Sequence, residues 1–349
     1  MKKKVRNINI DLIKCIAVFS VISVHYFSNI GLYKDLIVGN KMYIGIFFRT
    51  LFMICVPLFI IVTGYLMKDK KLSKKYYFSG GGVRVLLIYL LDSVLFLGYN
   101  AIYNNGEFNI KYIIKSILSF DIGYAWYIEM YFGLFLLIPF INLIYNGLKE
   151  KKQKQMLILT MLFLTSFQGV FNIKYILIPD WWTGIYPLTY YFIGCYLNEY
   201  KININKYLNF ILFVVVLIIS AFINIYFSKG NNFVWGIYND WGSIFNLLTS
   251  VLIFIFIINM DLNKIPNVFH KIISEISELS LGIYLTSSMV DNFLYFHIFD
   301  NIDFFSFGGY FKIIPLVLLI STMLSLFINI IYKIIDRYIV KKMTKYFIK

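Results

Sequence analysis

The chain has 349 residues, of which 60% are apolar, 20% aromatic and only 15% charged, with a mean hydropathy of +0.73 and a formal net charge of +15. This composition excludes a soluble globular protein, and apolar blocks recurring near bilayer-crossing length predict an all-α, polytopic membrane bundle. The positive charge does not point to nucleic acid, because Lys and Arg are spread over short connections instead of being gathered in one domain.

Ten spans are predicted, over residues 8–29, 43–67, 84–103, 124–146, 156–173, 184–198, 207–227, 241–260, 279–299 and 311–335. Most Lys and Arg fall in segments 1–7, 68–84, 147–155, 199–206, 261–271 and 333–349, which places both termini in the cytoplasm. The basic start at Lys2, Lys3 and Lys4 resembles a signal peptide. The following apolar stretch is long, contains Asp11 and Lys14, and lacks a small-residue cleavage site, so it is expected to be a retained helix. Between spans, Tyr112, Ile113, Ile114, Ile117 and Leu118 predict an amphipathic element lying along the surface. Trp181, Trp182, Trp235 and Trp241 fall near span ends, as an aromatic belt would place them. No hydrophilic block is long enough for a soluble domain, so residues 1–349 are expected to form one membrane domain.

Lys14 and His25 lie inside the first span with ten residues between them. Ionisable groups at membrane depth are costly, and those retained usually face a protein interior or a wet cavity. Eleven helical steps of about 100° return both to one stripe, roughly 16 Å apart along the axis. His25 suits general-base catalysis on a hydroxyl, the plainer alternative being a buried, hydrogen-bonded packing residue. Asp11 stands one turn before Lys14, so an Asp11–Lys14 ion pair is one account of the lysine. An anion contact beneath a cavity capped by His25 is the other. Arg49, Arg84, Asp92, Glu129 and Asp291 also lie at depth or at a span edge, where opposite charges invite pairing. Arg84 follows Ser79-Gly80-Gly81-Gly82, and backbone amides beside a guanidinium can hold phosphate. Glu129 follows Trp126 and Tyr127, where it could sit near a carbohydrate, orient His25, or pair with Arg49. Cys15, Cys55 and Cys195 make neither a disulfide framework nor a metal site, and no metal-ligand pattern occurs.

Asn9 to Lys14, continuing through Ile22-Ser23-Val24-His25, resembles the opening helix of the membrane-bound acyltransferase 3 family, with its Arg or Lys, ten residues, then His. Val56-Pro57-Leu58-Phe59 leading to Thr63-Gly64-Tyr65 is similar to the family's second-helix signature. Lys74-Lys75-Tyr76-Tyr77 leading to Arg84 is similar to its basic loop and third helix. Ala125-Trp126-Tyr127 through Pro139, Tyr191 to Leu197, and Leu281-Gly282-Ile283-Tyr284-Leu285 resemble its fourth, sixth and ninth helices. Lys14 stands where Arg is commoner, Thr63 where Ser is usual, and Thr286-Ser287-Ser288 where many relatives carry a His.

The resemblance implies an O-acyltransferase of the bacterial plasma membrane. Cytosolic acyl-CoA, usually acetyl-CoA, would be the donor substrate, with no tightly bound cofactor. The acceptor would be a hydroxyl of a surface glycan or its lipid-linked precursor. It implies His25 and Lys14 as the catalytic pair, Arg84, Lys74 and Lys75 as donor contacts, and Asp11, Glu129, Trp126 and Tyr284 as groups that bind or orient substrate. A glycan or lipid-precursor transporter without covalent chemistry is the alternative at the level of composition.

Overall fold

The computed structural model describes residues 6–78, 81–103, 109–172, 175–262, 264–298, 307–340 and 342. These form α1 (Ile8–Asn29), α2 (Asn40–Phe52), α3 (Cys55–Met67), α4 (Lys74–Phe78), α5 (Gly81–Tyr103), α6 (Ile110–Leu118), α7 (Trp126–Gly147), α8 (Lys151–Thr165), α9 (Gln168–Phe171), α10 (Tyr186–Glu199), α11 (Lys206–Ser228), α12 (Ile244–Ile258), α13 (Asn267–Phe293) and α14 (Phe307–Ile335). No strand occurs among the described residues beyond an isolated Ile37–Lys229 bridge. The polypeptide is therefore an all-helical, multi-pass membrane protein.

Among the described residues, six segments are long and apolar enough to cross a bilayer: Ile8–Asn29, Asn40–Met67, Lys74–Tyr103, Trp126–Gly147, Lys206–Ser228 and Gly309–Val340. The predicted spans at 156–173, 184–198 and 241–260 correspond to helices α8, α10 and α12, which are shorter than that length. The span predicted at 279–299 is the later part of α13. Its earlier turns carry Lys271, Glu275 and Glu278. The chain end at 343–349 and residues Ser79 and Gly80 lie outside the described residues.

One predicted span is broken. Residues 43–67 fold as α2 and α3 with a turn at Met53 and Ile54. Pro57 accounts for it, since its ring lacks an N–H and crowds the carbonyl four residues earlier, at Met53. Helix α8 ends at Thr165, and α9 follows after a turn at Ser166 and Phe167.

The chain forms two compact units. The first comprises 1–68, 144–277 and 303–310; the second comprises 69–143, 278–302 and 311–349. In the first, α3 packs on α1, α10 and α12, and α10 packs on α8. The α3–α10 crossing is close because both faces are glycine. A Cβ at Gly64 would collide with the Tyr191 carbonyl, and one at Gly194 with the Ile61 carbonyl. Lipid tails are as apolar as leucine, so tight backbone approach through small residues is a main source of attraction between membrane helices. Cys195 Sγ reinforces the crossing by donating to the Gly64 carbonyl at 3.5 Å.

Polar side chains tie the remaining helices of this unit. Asn9 Nδ2 donates to the Ile257 and Met260 carbonyls at 2.7 and 2.8 Å, capping the end of α12. Thr165 and Thr189 hydroxyls meet at 2.9 Å between α8 and α10, and Asn224 Nδ2 donates to Thr50 Oγ1 at 3.2 Å between α11 and α2. Buried Lys154 donates to both Glu199 carboxylate oxygens at 2.6 and 2.8 Å, lies over the Tyr145 ring, and leaves Lys68 Nζ 3.9 Å from the same carboxylate. Burial by itself would raise the Glu199 carboxyl. The Lys154 hydrogen bonds, with the Lys154 and Lys68 charges, outweigh it and hold the group below its ordinary 4.5.

In the second unit, Tyr76 OH donates to the Phe135 carbonyl at 2.7 Å and the two rings stack, fixing α4 to α7. Helix α6 leaves Ile110, Ile114 and Leu118 exposed on one face. It is the amphipathic element that the residue spacing predicts. Its N-terminus is capped by Asn109, whose side chain accepts from Lys111 N.

Gly64→Ala and Gly194→Ala should each destabilise the detergent-solubilised protein by about 1–3 kcal/mol through overpacking. Gly133→Ala, where an added Cβ meets open space inside α7, should be neutral or stabilising by up to about 1 kcal/mol. Thermal unfolding of the three variants measures the difference. Because the folded Glu199 is easier to ionise than the unfolded one, its contribution is fully present above the unfolded value and is lost as pH falls through the lowered folded value. Glu199→Gln should flatten that acid-side loss in a pH series of unfolding midpoints.

Candidate functional site

The first unit places Lys14 and His25 on a single unbroken α1. The helix begins at Asn7, whose side chain accepts from Asn9 N at 3.0 Å. No proline or glycine interrupts Ile8–Asn29, so the eleven-residue spacing keeps both side chains on one stripe, about 16 Å apart along the axis. Both are half-buried, and the Nδ1 edge of His25 is shielded from solvent. One turn of helix around His25 is fixed by aromatic packing. Ser23 Oγ and Tyr310 OH lie 2.8 Å apart, the Tyr26 and Tyr310 rings meet edge to face at 5.2 Å, and Phe27 and Phe52 stack beside them. This buttress orients the stripe carrying His25.

Asp11 is buried and has partners beyond the lysine expected for it. Arg6 donates to its carboxylate and also to the Ser274 carbonyl, while Ser277 and Ser274 hydroxyls donate to Asp11 at 2.6 and 3.4 Å. The Asp11–Lys14 pair therefore does not by itself account for this carboxylate. Asp11 is the joint between the start of α1 and the start of α13, and it needs no substrate to explain its burial.

The second unit holds the remaining predicted groups. Arg84, half-buried near the start of α5, donates to the Glu278 carbonyl at 2.9 Å and lies over the Tyr332 ring at 5.5 Å. A crevice beside it is lined by Ile88, Leu279, Gly282, Ser325 and Asn329, with Lys333 3.0 Å from Glu278 at its edge. Lys74 and Lys75 are exposed on α4. Trp126 and Glu129 are exposed in the first turn of α7. Tyr284 does not present its phenol to solvent: the hydroxyl donates to the Tyr124 carbonyl and the ring packs edge to face on Tyr127. It positions the turn that leads into Trp126 and Glu129. Asp291 accepts from Tyr124 OH at 3.0 Å in the same region.

The full length of the chain carries one further signal. Residues 7–331 match an acyltransferase domain, spanning every element from α1 into α14. The chain belongs to the acyltransferase 3 family. No curated protein and no solved structure matches it. The resemblance drawn from residues is thus borne out at the level of the family, and α1 of this membrane acyltransferase carries Lys14 and His25 in the first unit. The motif glycines of its second and sixth helices, Gly64 and Gly194, are the α3–α10 contact.

Two arrangements escaped the sequence. Ser274 and Ser277 gave no signal as partners of Asp11, since serine spacing on α13 is not distinctive. Arg49, for which a pairing with Glu129 was one expectation, is instead surrounded by the rings of Tyr33, Phe233 and Trp235 in the first unit. Trp235, read from its position as part of an aromatic belt, is one wall of that cage.

Asp11→Asn in the acyltransferase should cost about 1.5–3 kcal/mol, the worth of hydrogen bonds to a charged group. The loss should be seen as a lowered unfolding midpoint, and Asp11→Glu should recover little of it because the longer carboxylate no longer meets Ser277.

Proposed function

We propose that this acyltransferase moves an acyl group, acetyl in the simplest case, from cytosolic acyl-CoA to a hydroxyl of a surface glycan or its lipid-linked precursor. It would work in the bacterial plasma membrane, crossing it ten times with both termini cytoplasmic. The observation carrying this reading is the unbroken α1 with Lys14 and half-buried His25 on one stripe, within a chain of this family.

In this reading His25 takes the proton of the acceptor hydroxyl as its oxygen attacks the thioester carbonyl. The carbon–oxygen bond forms, the carbon–sulfur bond breaks, and the imidazolium returns the proton to the departing CoA thiolate. Lys14, nearer the donor side, stabilises negative charge on the donor. The roughly 16 Å between the two matches one extended substrate lying along α1 better than a contacting dyad. Arg84, Lys74 and Lys75 receive the CoA phosphates, the first as a guanidinium fork and the lysines as point charges. Trp126 and Glu129 contact the saccharide, and Tyr284 and Asp11 act as positioning residues through Tyr124 and through the α1–α13 joint.

Surface glycans from a deletion strain complemented with wild type or His25→Ala test this by mass spectrometry. Acyl content should fall by about a hundredfold or more in His25→Ala, at unchanged membrane abundance. Unchanged acylation would remove His25 from the chemistry. Altered glycan export with intact acylation in the deletion strain would favour transport instead.

A further inference from the structure

Arg49 on α2 is 0% exposed. A guanidinium is a cation, and a fully desolvated charge is costly unless it is paired. Among the described residues no carboxylate lies within ion-pair distance of it. Its Nε donates to Tyr33 OH at 3.3 Å, whereas Nη2, buried, has no hydrogen-bond partner among them. The rings of Phe233, Trp235 and Tyr33 lie 4.8, 4.9 and 5.8 Å from the guanidinium carbon and pack on one another. Cation–π contacts offset part of the lost hydration but supply no acceptor for Nη2.

The cage is built and has an outward wall. Ile37 N donates to the Asn231 carbonyl at 2.8 Å and Gly230 N to the Ile37 carbonyl at 3.0 Å, clasping the connection after α1 to the one after α11. Phe233 is buried, but Trp235 is 57% exposed. The cage thus stands at the end of the first unit where α1 finishes, four residues beyond His25.

We infer that Arg49, walled by Tyr33, Phe233 and Trp235, binds an anionic oxygen of the acceptor, a sugar carboxylate or the phosphate of a lipid-linked saccharide. Trp235 is the wall that yields to the ligand, and the free Nη2 donates to the oxyanion in a charge-assisted hydrogen bond. Only the identification of the ligand as the acceptor rests on the acyl-transfer reading.

The full-length protein in detergent tests it without any acyl donor, through the ligand-induced rise of the unfolding midpoint. Glucuronate, a short polyprenyl phosphate and neutral glucose are the three probes. Wild type should respond to at least one anion and not to glucose, and whichever anion acts identifies the source. Arg49→Gln should bind that anion at least tenfold more weakly; Arg49→Lys, which keeps the charge without the fork, should lose several-fold and serves if Arg49→Gln does not accumulate. Absence of any anion response up to millimolar concentration, an equal response to glucose, or variants that are less stable yet respond as wild type does would each overturn the site. A failed His25 test leaves this result unaffected, and the reverse also holds.

Discussion

The approach of α3 to α10 through Gly64 and Gly194 sets the geometry on which the first unit depends. In a bilayer, helices gain little from excluding water from one another, so van der Waals contact between closely spaced backbones must supply the attraction. Each glycine accommodates a carbonyl of the opposite helix, Tyr191 for one and Ile61 for the other. Helix α3 also packs on α1, so the crossing supports the helix that carries Lys14 and His25. A methyl group at either glycine would push apart the elements that hold that stripe in place.

Several buried charged groups among the described residues are met by partners from other segments. Asp11 is met by Arg6, Ser274 and Ser277, Lys154 by Glu199, and Asp291 by Tyr124. Each joins segments far apart in sequence, because a polar group in hydrocarbon is affordable only when a partner is supplied by another helix. Arg49 departs from the pattern: its neighbours are rings, and one nitrogen is left with a donor to spare. A guanidinium walled by rings, with a buried nitrogen that meets no acceptor among the described residues, is what makes this position informative.

Much of this was legible in the residues. The apolar run from Ile8 to Asn29 is α1 to the residue, and the Lys14–His25 spacing together with the ordered motif pieces pointed to the family. Hydropathy could not see the turn at Met53 and Ile54, because the break comes from Pro57 acting on a carbonyl inside an unbroken apolar block. It also overstated 156–173, where composition stays apolar through the turn at Ser166. Glycines at 64 and 194 were visible as motif letters, but their mutual contact was not, as it joins helices 130 residues apart. The Arg49 cage was the least accessible feature. Its rings come from two irregular connections with no periodicity, and only the fold brings Tyr33 to Phe233 and Trp235.

The proposed acyl path along α1 requires donor and acceptor to meet the protein from opposite faces of the membrane. Oriented proteoliposomes containing the purified protein, with acetyl-CoA labelled in its acetyl group on one face and a saccharide acceptor on the other, address this directly. Label should reach the acceptor across the bilayer, only in the orientation that presents Lys74, Lys75 and Arg84 to the donor. Label transfer only when donor and acceptor share a face, or saccharide movement with no label transferred, would contradict it.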